Sequence, residues 1–345
     1  MSNMWKEIKQ QPQVFQNALQ SNVNTIKQIV EKLQTKNITN VVIAGRGTSD
    51  HAGVFAQYMI EYFLGLPVCM AAPSVVTVYR RPLMLKSSLV IAVSQSGMAQ
   101  DVLEIVKESR RQGGLSISLT NHEDSPLSKE ADFFIHLCAG KEESVAATKT
   151  FFAQITLLAE LVLSWAKAEQ YQKEFEEIPN KIQATIQSRE VVNAKMQRYR
   201  YMNECFVLAR GMNYPVAMEA ALKLQETCYI KAKAYAISDF YHGPIAMIEK
   251  DTPVFLYAPK GECFAEYPAI AEKLNSLGAE LIVISDDETM RQYGKCAIAI
   301  PSSSHDMLTV FYNTIVAQII ARALADIKAR NPDAPRVLRK VTITR

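Results

Sequence analysis

The chain has 345 residues, 48% hydrophobic and 21% charged, an ordinary globular composition long enough for two domains that each bury a core. The 38 basic and 35 acidic residues leave a net charge of +3 without a clustered basic face, which excludes nucleic acid as an expected partner. Apolar runs of strand length and a polar start, residues 1–10, predict no membrane segment, no signal peptide and a cytoplasmic location.

The cysteines are widely spaced, stand mostly in apolar segments and include no CxxC pair. This pattern favours buried, reduced thiols over disulfides or a metal site, and we expect no metal and no other cofactor. The six are Cys69, Cys138, Cys205, Cys228, Cys263 and Cys296.

The first half of the chain alternates apolar strands with helices. Its predicted elements, in chain order, are helices within 1–35, strand 41–44, helix 51–63, strand 89–93, helix 100–112 and strand 115–119. Strands 41–44 and 89–93 are apolar throughout rather than alternating, which is typical of strands buried on both faces. The pattern therefore predicts a parallel sheet flanked by helices, a flavodoxin-like three-layer α/β sandwich.

The later half repeats this order. Its predicted elements are strand 205–209, helix 216–230, strand 253–257, helix 267–277, strand 281–284 and helix 306–328. Gly47 and Gly97 lie 50 residues apart, as do Gly211 and Gly261, and the two pairs share an offset of 164 residues. The chain therefore contains a duplicated α/β unit. We expect N-terminal helices at 1–35, domains at 36–170 and 199–330, a helical connection at 171–198 and a C-terminal tail at 331–345.

The turn Ser94-Gln95-Ser96-Gly97 follows a buried strand of the first copy and precedes a helix. Its glycine permits close approach to a ligand, the helix start offers unpaired N–H groups, and the serine hydroxyls add donors, a combination that suits a phosphate group. The neighbouring strand ends in Thr48-Ser49, which would complete the ring of donors. The same residue types are common in a plain N-cap turn, and this tetrapeptide alone leaves both interpretations open.

Several segments occur in the order found in sugar isomerase (SIS) domains. The chain resembles the double-SIS enzymes, in particular the isomerase half of glucosamine–fructose-6-phosphate aminotransferase and the SIS-type glucosamine-6-phosphate deaminases. The segments are 44–49, 94–97, 145–149, 221–226 and 242–244, with Pro335-Arg336 and Lys340-Val341-Thr342 in the tail.

The resemblance implies two tandem SIS domains and a sugar-phosphate site in the first. It implies that Ser94, Gln95 and Ser96 hold the phosphate and that Thr48, Ser49 and Val145 lie on the sugar side; His51, beside them, is a further candidate for a sugar contact. Met98 and Ala99 stand where the synthases usually carry an acidic residue and a threonine, and Ala147 replaces a common serine. These departures leave the fine substrate specificity open.

Moving a carbonyl between C1 and C2 requires a base that carries a proton between the two carbons. Glu226 is the candidate, because it lies on a helix of mostly small or apolar side chains. The residues alone favour an i,i+3 ion pair with Lys223 on a solvated face over this role. The resemblance implies that Glu226 is the catalytic glutamate and that Lys223 assists the proton transfer.

Two further residues are assigned by the resemblance. His242, in a loop before Gly243-Pro244, matches the histidine that opens the sugar ring, which in relatives reaches a neighbouring subunit and so implies a homodimer. Lys340 matches a lysine that forms a Schiff base with the ketose in the synthases, a role that requires a neutral amine. A solvated surface position is the alternative for both residues.

The chain reaches its first strand at Val41 without the glutaminase domain of the aminotransferases, so we do not expect glutamine to be the amino donor within this polypeptide. The expected reaction converts an amino-sugar phosphate, such as glucosamine-6-phosphate, to a ketose phosphate and ammonia. A deglycase for a sugar phosphate attached to an amino acid, and a plain aldose–ketose isomerase, remain open because they would use the same residues. A non-catalytic sugar-phosphate sensor is disfavoured by the second SIS domain and the pair Glu226 and His242.

Overall fold

A computed structural model describes residues 2–340 of the chain. The described residues form two compact units, each with its own five-stranded sheet. The first unit comprises residues 13–142, 147–173 and 339–340, and the second comprises residues 2–12, 143–146 and 174–338. The predicted tail is therefore described only as far as Lys340, and the Val341-Thr342 part of the resemblance lies outside the described residues.

The sheet of the first unit has the strand order β2-β1-β3-β4-β5, and every neighbouring pair is parallel. Its strands are β1 Asn40–Ala44, β2 Val68–Met70, β3 Ser88–Val93, β4 Leu115–Thr120 and β5 Phe133–His136. The helices in this part of the chain are α1 Asn3–Gln34, α2 Thr48–Leu64, α3 Ser74–Thr77, α4 Gln100–Arg111, α5 Pro126–Glu130 and α6 Lys149–Ala166. Every residue of β3 and β4, including the alternate hydroxyl residues of β4, is buried because helices cover the sheet.

The sheet of the second unit has the order β7-β6-β8-β9-β10 and is also parallel throughout. Its strands are β6 Glu204–Ala209, β7 Lys231–Ala236, β8 Pro253–Tyr257, β9 Glu280–Ser285 and β10 Cys296–Ala299. The helices in this part of the chain are α7 Gln172–Glu176, α8 Ile178–Gln187, α9 Arg189–Met196, α10 Tyr214–Cys228, α11 Ile237–Tyr241, α12 Tyr267–Ser276, α13 Glu288–Arg291 and α14 Asp306–Ile327.

The two sheets have the same topology. In each, the first strand lies between the second and the third, which is the 2-1-3-4-5 order of flavodoxin-like folds. The helix after the first strand packs against the last long helix of its unit, α2 on α6 and α10 on α14. The predicted α/β class with two tandem parallel sheets is confirmed, and the duplication explains why the paired glycines share one offset.

The structure adds elements that the sequence analysis did not predict. The N-terminal segment is a single helix, α1, although Pro12 lies within it. Four edge strands complete the sheets, β2 and β5 in the first unit and β7 and β10 in the second, and the helix α6 was likewise not predicted. Each of the four is an edge strand with residues that are not fully buried. The strands β2, β5 and β10 have only three or four residues, and β7 alternates polar with apolar residues.

Among residues 2–340, α14 is the one helix long and apolar enough to cross a membrane by length and composition, and its apolar run exceeds the strand length expected from the sequence. In the structure 94% of its most apolar window is buried. Burial on all sides within the second unit accounts for its composition, since a helix in a protein core is apolar around its whole circumference.

Candidate active site

The loop 94–97 joins β3 to the segment that begins α4. Gly97 has a φ of +65°, and a Cβ placed on it would lie 2.2 Å from Ser125 Oγ, so no other residue fits without a rearrangement. The backbone N–H of Gly97 donates to Ser94 Oγ at 3.1 Å, and that of Met98 donates to Ser96 Oγ at 3.3 Å. Both hydroxyls act as acceptors in these bonds, so each keeps its own O–H for a ligand.

The loop after β1 runs beside loop 94–97. Ala44 pairs with Ala92 in the parallel ladder, so the carboxyl ends of β1 and β3 are neighbours. The strand order reverses between these two strands, and in open α/β sheets this crevice is the usual ligand site. Thr48 begins α2 here, and the buried Ser49 Oγ accepts a hydrogen bond of 3.0 Å from Gln154 Nε2. The crevice therefore brings together the predicted phosphate residues and two of the predicted sugar residues.

Charged residues that the sequence analysis left unassigned lie at the same sheet edge. Arg46 Nε is 2.6 Å from Asp101 Oδ2, and this ion pair ties the loop after β1 to the first turn of α4. Burial raises the pKa of the Asp50 carboxyl, although the charges of His51 and Arg46 oppose the shift. The half-buried His51 therefore lies close to the charged side chains of Asp50 and Arg46. The sequence signal for Arg46 was its position just after β1, and that for Asp101 was its position at the start of the helix that follows β3.

Lys340 is held in the first unit by a buried carboxylate. Its Nζ lies 2.6 Å from Glu142 Oε2, and the Glu142 side chain is fully buried. The same carboxylate accepts hydrogen bonds from the backbone N–H groups of Thr148 and Thr150 and from the Thr150 hydroxyl. Burial opposes the charge on Glu142, but the charge and hydrogen bond of Lys340, with those from the threonines, outweigh it and lower the pKa of this carboxyl.

The strongest cluster of charges in the second unit lies on α10. Lys223 is completely buried, and its Nζ lies 2.5 Å from Glu226 Oε2 and 3.2 Å from Glu219 Oε1. Burial disfavours the ammonium, but the two carboxylates outweigh that effect and raise the pKa of Lys223. The Glu226 side chain keeps 22% of its exposure, whereas Glu219 is buried. Glu226 is therefore the member of the cluster that a ligand can reach.

Of the two interpretations of Glu226 in the sequence analysis, the structure bears on the ion pair, and the catalytic role stays a prediction. The i,i+3 pair with Lys223 exists, but it is not on a solvated face, because Lys223 lies wholly in the interior. Glu219 was missed by the sequence analysis. Its signal was the i,i+4 spacing to Lys223, which places both side chains on one face of the helix.

His242 and Val145 belong to the second unit but to other segments. His242 follows α11 as its C-cap residue, is exposed, and donates its backbone N–H to Asp239 O at 3.2 Å. Val145 is half-buried, next to Ser144, whose backbone N–H donates to the buried Glu7 at 3.3 Å. The predicted site residues thus divide between the units. The first holds Thr48, Ser49, His51, Ser94, Gln95, Ser96 and Lys340, and the second holds Val145, Lys223, Glu226 and His242.

Comparison with known proteins places these features in a family. The SIS domain model matches residues 34–164 and 200–327. A glutamine–fructose-6-phosphate aminotransferase (isomerizing) of Mycolicibacterium paratuberculosis is 33% identical over 98% of this chain, and the chain spans 57% of the length of that relative.

Solved structures show the same fold. The C-terminal domain of glucosamine–fructose-6-phosphate aminotransferase from Francisella tularensis is similar with a TM-score of 0.88 and 27% identity, covering 97% of this chain and 98% of that one. A glucosamine-6-phosphate deaminase from Thermotoga maritima has a TM-score of 0.78 at 22% identity, covering 99% of this chain and 100% of that one, which is a likeness of fold. With two matched regions, one on each parallel sheet, the chain belongs to the SIS domain family.

Proposed function

We propose that this chain is a phosphosugar isomerase that converts an amino-sugar phosphate of the glucosamine-6-phosphate type to a ketose phosphate and releases ammonia. The observation that carries the proposal is the cluster on α10, where the partly exposed Glu226 is hydrogen-bonded to the buried ammonium of Lys223. A carboxylate held in this way is fixed in position and ready to accept a proton from carbon. The names of the relatives, an aminotransferase for fructose-6-phosphate and a deaminase for glucosamine-6-phosphate, support the same pair of sugars.

In this proposal the first unit binds the phosphate end of the substrate. Ser94 and Ser96 offer hydroxyl protons from a preformed loop, and the half-buried Gln95 adds an amide donor. Thr48, Ser49 and His51 contact the sugar, and Val145 contributes an apolar contact. The phosphate does not react in the proposed step and serves to hold the sugar in place. Substitution of these binding residues should therefore change mainly the affinity for the substrate.

The proposed chemistry uses the residues of the second unit. His242 moves the proton that opens the sugar ring, and Glu226 removes the proton from C2 of the open-chain amino aldose. Return of that proton to C1, with one proton added to the aldehyde oxygen and one lost from the amine nitrogen, leaves a C1 hydroxyl and an imine at C2. Water then hydrolyses the imine to the ketone and ammonia, so that all atoms balance. Lys223 stays an ammonium and stabilises the negative charge that develops during the transfer.

The proposal includes a cytoplasmic homodimer in which His242 acts in the site of the partner. The exposed position of His242 is compatible with a role outside its own chain. All six cysteines, which fall within residues 2–340, are free thiols, as suits a reducing compartment. Size-exclusion chromatography with light scattering, together with mixing of Glu226→Gln and His242→Gln chains, tests this part. Partial recovery of activity on mixing supports a shared site, and no recovery contradicts it.

The direct test of the reaction measures ammonia and ketose phosphate released from glucosamine-6-phosphate. The Glu226→Gln variant should lower kcat by at least about a hundredfold, because it removes the base while preserving the side-chain shape. The matched control is Glu249→Gln, which changes an exposed glutamate of the same unit and should leave kcat unchanged. Absence of ammonia release by the unaltered protein would overturn the proposed reaction.

The same assay separates the alternatives. Release of an amino acid from a glycated amino acid phosphate would indicate a deglycase, and interconversion of aldose and ketose phosphates without ammonia would indicate a plain isomerase. Binding of sugar phosphates without turnover would favour a sensor.

A further inference from the structure

The carboxylate of Glu142 is saturated by donors from two separate parts of the first unit. Its Oε1 accepts the backbone N–H groups of Thr148, at 2.9 Å, and Thr150, at 3.1 Å. Its Oε2 accepts the Thr150 hydroxyl at 2.7 Å and the Lys340 ammonium at 2.6 Å. The carboxylate therefore holds the beginning of α6 with one oxygen and the end of the described chain with the other.

This arrangement gives Glu142 more than the role of a helix cap. A cap needs only acceptors for the N–H groups at the helix start, and serine or asparagine would supply them. A completely buried carboxylate is costly unless a cation neutralises it, and the Lys340 ammonium pairs with the Glu142 carboxylate at 2.6 Å. The cost of burial is thus offset by Lys340, and the position of Lys340 depends in turn on Glu142.

We propose that Glu142 is a positioning residue that docks Arg339 and Lys340 onto the first unit by holding the Lys340 ammonium in an ion pair. The ion pair presents Lys340 as a cation and hydrogen-bond donor, which suits contact with the oxygens of a sugar phosphate. A Schiff base would require Lys340 to lose its proton and leave the buried Glu142 charge without its partner. The part of this inference that concerns substrate rests on the proposed function, whereas the docking does not.

The decisive variant is Glu142→Gln. The amide oxygen can still accept the N–H groups of Thr148 and Thr150, and the amide N–H₂ can donate to the Thr150 hydroxyl, so that the start of α6 is preserved. The amide cannot pair with an ammonium, because two donors then face each other. Glu143→Gln is the matched control, since it changes the adjacent glutamate, whose side chain is exposed.

Hydrogen exchange without substrate tests the docking. The backbone amides of Arg339 and Lys340 should exchange at least about tenfold faster in Glu142→Gln and in Lys340→Gln, and at the unaltered rate in Glu143→Gln. Exchange in α6 serves as the folding control and should not change. Unchanged exchange at Arg339 and Lys340 in Glu142→Gln would overturn the proposal, whatever reaction the protein catalyses.

Kinetics of the same variants test the positioning. If Glu142 acts through Lys340, then Glu142→Gln and Lys340→Gln lower kcat/KM by similar factors, and the double variant is no worse than either. Factors that multiply in the double variant would show independent roles and would overturn the inference. Borohydride with the ketose phosphate should trap no covalent adduct at Lys340, and a trapped adduct would refute the ammonium state of Lys340 in the bound enzyme.

Discussion

At the scale of single residues, Lys223 is expected to affect both the stability of the fold and the catalytic step. It is a fully buried cation between two carboxylates, and only Glu226 of the three side chains has appreciable exposure. A buried charge of this kind is held in place by its partners, and its removal leaves their charges uncompensated. The cation therefore fixes the orientation of Glu226, and its raised pKa keeps it from acting as a base itself.

Replacement of Lys223 by methionine tests this coupling. We expect the free energy of unfolding, measured in urea, to fall by about 3–5 kcal/mol, since Glu219 and Glu226 lose their common partner. We also expect kcat to fall by at least about tenfold, because Glu226 is no longer oriented. Adding Glu219→Gln should recover part of the stability without recovering kcat. A double variant that regains both would show that Lys223 has only a structural role.

A second residue-scale prediction concerns Gly97. Gly97→Ala should lower the stability by at least about 2 kcal/mol and weaken phosphate binding, because the new Cβ would meet Ser125 at 2.2 Å in a left-handed conformation. Gly113→Ala is the control: its φ is +73° but nothing lies within 4 Å of the added Cβ, so that only about 1 kcal/mol is expected. Calorimetry and titration with inorganic phosphate measure both quantities. Equal effects of the two variants would contradict the close fit of loop 94–97.

At the scale of elements, the sequence predicted the inner strands and most of the longer helices, whose apolar patterns are clear. The inner strands β1, β3, β4, β6, β8 and β9 and the helices α2, α4, α10, α12 and α14 were predicted from their apolar patterns, whereas the 18-residue helix α6 was not predicted. The edge strands were missed: β7, for example, reads Lys-Ala-Lys-Ala-Tyr-Ala, with a lysine at alternate positions, and only the neighbouring β6 makes it a strand. The ion pair of Glu142 with Lys340 spans 198 residues, a separation at which sequence spacing carries no information.

The helical connection before β6 contains an acid-sensitive contact. Glu174 accepts hydrogen bonds from Lys181 Nζ at 2.7 Å and from the Ser304 backbone N–H at 3.1 Å, which ties α7 and α8 to the loop before α14. Burial acts against the charge, but these bonds with the Ser304 hydroxyl lower the pKa of Glu174 from 4.5 to about 2. A depressed pKa in the folded state means that the contribution is complete above about pH 4.5 and is lost as the pH falls toward 2.

Glu174→Gln should therefore flatten the acid limb of the stability profile. Between about pH 4.5 and 2, the free energy of unfolding should fall less steeply in the variant than in the unaltered protein, because one titrating group has been removed. Denaturant unfolding at several pH values measures this slope. Glu31→Gln, on the exposed side of α1, is the control and should keep the original slope. Identical slopes in the unaltered protein and in Glu174→Gln would refute the assignment.

At the scale of the whole molecule, the duplication has kept the topology and changed the chemistry. The crevice between β1 and β3 carries hydroxyl and amide donors, and the equivalent crevice in the second unit lies between β6 and β8. There, a Cβ on Gly261 would lie 2.4 Å from Asp306 Cβ, so the start of α14 fills the space above that loop. The buried Asp306 places a carboxyl where the first unit offers donors. In the second crevice a phosphate would be repelled by the Asp306 carboxylate and would find its space occupied by the start of α14.

The duplicated chain is accordingly expected to bind one sugar phosphate, not two. Isothermal titration with glucosamine-6-phosphate should give a stoichiometry of one per chain, and Ser94→Ala combined with Ser96→Ala should abolish the heat, because two hydroxyl donors of loop 94–97 are lost. Lys260→Ala, in the equivalent loop of the second unit, should leave both stoichiometry and affinity unchanged, since Lys260 pairs with Asp287 at 3.1 Å. A second binding event that survives the double serine variant would mean that the second crevice accepts an anion despite Asp306. Anion binding would then not be confined to the first unit, and the proposed division of roles between the two units would be incorrect.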